Sequence, residues 1–263
     1  QPVVKKAPAA QKAKEPSQLV SAQGMKLFKS LLPATAKVMF IDSVVVDKSD
    51  FLSHVPLGSE AGMLMTKNPK ADVANQMGCY ENELGLRRIY ADGDSASSVL
   101  YTQTKLGDEW GEGARVSDFN SQMYMNQNFP FLVSDGVTLY FSAEGSESMG
   151  GRDIFMSAFD SDNASWYKPQ NVGLPFNSTA NDYLLAIDDL DSLGWLVTDR
   201  RQPAGKVCVY TFVPTEKRLN FNDDDLDDDE LMPFARLLSI KATWHFGDRA
   251  AAMKRLDNLR KRN

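Results

Sequence analysis

Short apolar runs of three to six residues, broken by clusters of Gly, Asn, Asp and Ser, fill the chain from Lys37 to about Phe212. That texture predicts short strands joined by turns. Helical spacing is found toward the ends. Met25 to Leu32 places Leu27, Phe28, Leu31 and Leu32 on one face and stops at Pro33, which predicts a short packing helix. A second helix is predicted to start near Leu231, since the acids before it suit a helix N-terminus and Pro233 suits a first turn. Phe234, Leu237, Leu238, Ile240 and Trp244 give it an apolar face as far as Gly247, and Asp248 caps a third helix running to about Arg260.

Within the strand-rich region a weak period stands out. Phe40, Tyr90, Tyr140 and Trp195 each sit in an apolar run and are spaced 50, 50 and 55 residues apart. The last three units continue alike: a polar loop, another apolar strand, and in two of them a Trp (Trp110 and Trp166). A repeat of 40 to 55 residues marks a radially repeated antiparallel meander. The most regular unit runs from 129 to 177, with Asp135-Gly136 in a turn, Leu139-Tyr140-Phe141 as second strand, Gly150-Gly151-Arg152-Asp153-Ile154-Phe155 opening the third, and Trp166 before Asn171-Val172-Gly173.

That string resembles the TolB-type, WD40-like β-propeller repeat of Bacteroidetes-type cell-envelope proteins, strongly over 129–177, less so over 180–212 and weakly before 120. The resemblance implies a periplasmic, outer-membrane-associated or secreted protein with a binding or scaffold role, whose partner is an envelope protein or a cell-wall glycan. It does not imply an enzyme. At about 45 residues per blade, residues 37–214 supply about four blades, an incomplete or small propeller. The expected organisation is a disordered leader (1–24), a short helix and linker (25–36), the propeller-like repeats (37–214), an acidic linker (215–230) and a C-terminal helical segment (231–263), mainly β overall.

Charge narrows the partners. The 263 residues carry 29 Lys and Arg against 35 Asp and Glu, a net charge of −6, which opposes a phosphate-tracking surface and nucleic acid as partner. The longest apolar run, Tyr183 to Ile187, is far short of the roughly 20 residues that cross a bilayer as a helix. The chain starts at Gln1, which reads as the trace of a removed signal peptide or fusion and favours export. Seven acids crowd 221–230, whereas 249–263 carries six basic residues and one acid. Cys79 and Cys208 read equally as a bridge or as two buried thiols.

Candidate chemistry is sparse. His54 and His245 are the only neutral-pH bases, and neither lies in a catalytic motif. Ser146 to Gly150 lacks the first Gly of a nucleophile elbow. Asp188, Asp189 and Asp191 could hold a hard cation, although Asp-rich hairpin tips are usually turns. Arg152, Asp153, Asp199, Arg200 and Arg201 are the candidate binding residues, because Arg–carboxylate pairing is strong and directional; a structural tie is the competing reading. No cofactor is expected. The reading is a non-catalytic envelope binding or scaffold module. Its alternatives are a glycan hydrolase or lyase using acids such as Glu81, Glu83, Asp135 and Glu144, and an interaction fragment of a larger envelope protein joined at the basic C-terminal helix.

Overall fold

The computed structural model describes residues 21–67, 76–94 and 97–263. Most of the expected leader lies outside the described residues. Helix α1 (Ala22–Leu31) begins within the stretch assigned to the leader, where the Ser21 hydroxyl accepts from the Gly24 N–H as N-cap. A 3₁₀ turn (Leu32–Ala34) with Pro33 ends it.

The body is mainly β, in three antiparallel sheets. The first contains β2 (Met63–Thr66), β3 (Gly78–Glu81), β4 (Arg87–Asp92), β5 (Val99–Leu106) and two short strands, β6 (Glu109–Trp110) and β7 (Ala114–Arg115), both paired with β5. The second contains β8 (Met125–Leu132), β9 (Thr138–Glu144) and β10 (Arg152–Asp160), with β11 (Ser165–Trp166) and β12 (Gln170–Asn171) on β10. In the third, β13 (Asp182–Asp188), β14 (Leu193–Thr198) and β15 (Lys206–Val213) form a meander whose outer edge is completed by β1 (Met39–Asp47).

This last pairing corrects the expected count. Tyr90, Tyr140 and Trp195 occupy the equivalent strands β4, β9 and β14, but Phe40 lies on β1 opposite Phe212. The four aromatic-marked units therefore fold into three sheets, since the first unit donates a strand to the last.

The sheets stack in a curl. Strand β8 packs against β3, β4 and β5, and β13 packs against β8, β9 and β10. Phe129 of β8, Tyr183 of β13 and Phe51 meet edge-on or tilted, with ring centroids 5.1 to 6.3 Å apart, and fill the junction with aromatic rings. One face of the third sheet, with Trp195 and Val197, joins the core that includes Ala252, Leu256 and Leu259 of α3 (Arg249–Arg262). The C-terminal helix thus covers part of the core beside the third sheet. Asp248 caps it by accepting from the Ala251 N–H, as the sequence predicts.

The segment before it departs from expectation. Helix α2 (Asp228–Ala235) starts within the acidic run, where Asp227 and Glu230 form a capping box. It ends nine residues before Trp244, since Leu237 is left-handed (φ 50°) and the chain continues as a 3₁₀ segment (Ile240–Phe246). The Arg201 guanidinium takes up the carbonyls of Arg236 and Leu237 at that end (2.8 and 2.7 Å).

Candidate functional site

The candidate binding residues all have partners within the chain: Arg152, Asp153, Asp199 and Arg200 bond to strands and the loops beside them, and Arg201 to the end of α2. Arg152 donates to the Asn126 carbonyl (2.6 Å) and to Glu144 (3.0 Å), fastening the start of β10 to β8 and β9. Asp153, fully buried, accepts from the N–H groups of Met149 (2.9 Å) and Gly150 (3.2 Å) and from the Asn171 amide (2.8 Å), closing the loop between β9 and β10. Burial, and then the charge of Asp182, push its carboxyl up to about 7. In that loop Gly150 is required by close approach: a Cβ there would lie 1.9 Å from the Ala180 carbonyl oxygen.

Arg200 does not pair with its neighbour Asp199. Its buried guanidinium meets Asp182 at 2.8 Å and also donates to Thr198 and to the carbonyls of Pro175 and Phe176. Asp199 instead accepts from Lys48 (2.7 Å), both nitrogens of Asn181 and the Tyr183 hydroxyl. Burial works to raise its carboxyl, and the bonds from Lys48 and Asn181 outweigh this and hold it below its usual range.

The three hairpin aspartates also have protein partners. Asp188 accepts from the N–H groups of Gly58 (3.0 Å) and Asp191 (3.1 Å), Asp189 from the Ser134 hydroxyl, and Asp191 from Arg262. Among the described residues no three His, Cys, Asp or Glu side chains are grouped to hold a metal. Asp135 caps its own turn through Val137 and Thr138, and Glu144 is engaged by Arg152 and Asn126. The seven residues of β9 separate these two acids by roughly 20 Å, so they cannot flank one glycosidic bond. Cys79 on β3 and Cys208 on β15 are buried free thiols in different sheets.

What the folding does build is a groove of about 570 Å³ between the second and third sheets. One wall carries Tyr140 and Met156 from β9 and β10, the other Leu185 and Ile187 from β13 with Phe212 from β15. Ala36 and Val38 lead into it, and the segment 213–219 forms its rim. Alternation explains the lining: successive strand residues point to opposite faces, so Leu185 and Ile187 share one face. Arg218 fixes the rim by donating to the carbonyls of Ala34, Val172 and Leu174. Burial, then the charges of Asp135 and Asp189, push the Tyr140 phenol above its usual value, so it remains a neutral donor at physiological pH. A mainly apolar groove of this volume with a few fixed polar groups has the character of a ligand site.

Sequence reasoning marked Tyr140 as a repeat aromatic but did not find the groove, whose walls come from strands about 45 residues apart. Comparison with protein-family models, curated proteins and solved structures gave no match for this chain.

Proposed function

We propose that the protein is a non-catalytic binding module built on WD40-like propeller repeats, exported to the bacterial envelope. Its recognition site is the groove between the second and third sheets. The occupant is an extended segment of an envelope protein that inserts a large apolar side chain.

The observation carrying this reading is the groove itself, with Met156, Leu185, Ile187 and Phe212 as walls and Tyr140 among its lining residues. An apolar lining suits a peptide side chain better than a sugar, whose hydroxyls would be stripped of water without replacement. The blade reading draws support from three features. The first strand of the second sheet packs on the first sheet, and the first strand of the third sheet's meander packs on the second. The turns 133–137 and 189–192 meet through Ser134 and Asp189 on one side of the stack. And β1 completes the third sheet from the N-terminal side, as a ring-closing strand does.

Selection of a displayed peptide library on the full chain tests this. Enriched peptides should share one large apolar residue and bind Ile187→Arg or Met156→Glu protein at least about tenfold more weakly, with the melting temperature of each variant monitored in parallel. Peptides that bind wild type and both folded variants alike would overturn the assignment.

A further inference from the structure

Two faces of the sheet stack are covered, one by a neighbouring sheet and one by α3, whereas the first sheet turns a different kind of surface outward. Ile89, Ala91 and Leu100 face the core, so Arg88, Tyr90, Tyr101, Gln103 and Lys105 point to the opposite side, joined there by Trp110, the cross-strand partner of Lys105.

These side chains are interlocked. Tyr90 and Tyr101 stack with centroids 5.6 Å apart and planes at 17°. The Arg88 guanidinium lies 4.2 Å from the Trp110 ring centre, and the ammonium of Lys67 lies 3.9 Å from that of Tyr90. Arg88 donates to the Gln103 oxygen (2.6 Å), and the Gln103 amide donates to the Gly111 carbonyl (2.8 Å), so the orientation of the guanidinium is set before any ligand arrives. Tyr101, Trp110, Arg88 and Gln103 are all half-exposed. Four residues of β5 separate Tyr101 from Lys105, which places Tyr101 and Trp110 roughly 13 Å apart along the strand.

We propose that this aromatic and cationic face binds a sparsely acidic glycan chain, with sugar rings on Tyr101 and Trp110 and carboxylates against Arg88 and Lys105. Charge complementarity chooses the occupant. Flat aromatic faces beside fixed hydrogen-bonding groups accept a ring that presents C–H groups on one side and hydroxyls at its edge. The same face carries Glu81, registered opposite Arg88, and Asp92, paired with Lys67 at 3.7 Å; Arg88, Lys105 and Arg115 outnumber the remaining acid and favour carboxylates at intervals. A single-stranded nucleic acid also stacks on aromatic side chains, but its dense phosphates would meet a molecule of net charge −6 with few cations on this face. The site is separate from the groove, so either can fail without the other.

Titration of the full chain with hyaluronate oligosaccharides, followed by tryptophan fluorescence and calorimetry, tests the proposal. Neutral dextran and an oligothymidylate serve as competing probes. Hyaluronate should bind, and Trp110→Ala and Tyr101→Ala should each weaken it about tenfold or more with unchanged circular dichroism. Lys105→Gln, which removes only a charge, should weaken hyaluronate and flatten the salt dependence. Absence of hyaluronate binding, equal binding of dextran, tighter binding of the oligothymidylate, or affinities untouched by all three substitutions would each overturn it.

Discussion

Arg200 and Asp182 form a 2.8 Å ion pair with both side chains essentially out of water, at 3% and 0% exposure. The pair joins the end of β14 to the start of β13, and the remaining guanidinium nitrogens are taken by Thr198 and two carbonyls. Truncating one partner leaves an uncompensated buried charge. Arg200→Met should therefore lose about 3–5 kcal/mol in urea denaturation, and Arg200→Met with Asp182→Leu should recover part of that. A single substitution within experimental error of wild type would show that the pair is not a structural tie.

Asp153 makes stability depend on pH in an uncommon direction. Its folded value near 7 lies above the unfolded carboxyl value near 4, so the folded state binds more protons between those limits. Its contribution is greatest below about pH 4 and declines as pH rises to about 7. The group at Asp199, held low, works the other way and is lost on acidification. Replacing Asp153 with Asn should remove the decline between pH 4 and 7, seen as a difference between variant and wild-type unfolding free energies that changes across that window. An identical pH profile would contradict the assignment.

The C-terminal helix belongs to the fold. Leu256 and Leu259 are fully buried on the core shared with Trp195, while Arg260 and Arg262 reach Asp42 and Asp191. The basic charge that marked this helix as a possible join is thus partly used within the chain. Leu256→Ala should cost about 2–5 kcal/mol, measured by thermal or urea unfolding. A cost below about 0.5 kcal/mol, the level of an ordinary surface change, would show the helix to be only loosely docked.

The thiols should behave as core atoms. Burial pushes Cys79 up to about 11, and Cys208 also above its usual value. Neither should react with a thiol reagent at pH 8 until the protein is unfolded, and both should react then without reductant. Rapid labelling of the native protein would contradict the burial.

The sequence disclosed the strand texture, the helix at 25–32, the cap at Asp248 and the equivalence of Tyr90, Tyr140 and Trp195, because each rests on local spacing and turn chemistry. It could not disclose that Phe40 belongs to the last sheet, since pairing β1 with β15 is a contact across about 170 residues with no local mark. The sequence marks Arg200 as able to pair with a carboxylate but not which one, as Asp182 reaches it only once β13 and β14 are side by side. The groove and the aromatic face escaped for the same reason. Each is made by registering strands whose individual residues look like ordinary core or surface.

Methyl NMR of the protein labelled at Ile, Leu and Met, titrated with a selected apolar peptide, bears most directly on the binding site. The account predicts the largest shift changes at Met156, Leu185 and Ile187, with the methyls of Leu256 and Leu259 under α3 unmoved. Shifts concentrated away from the groove would contradict it.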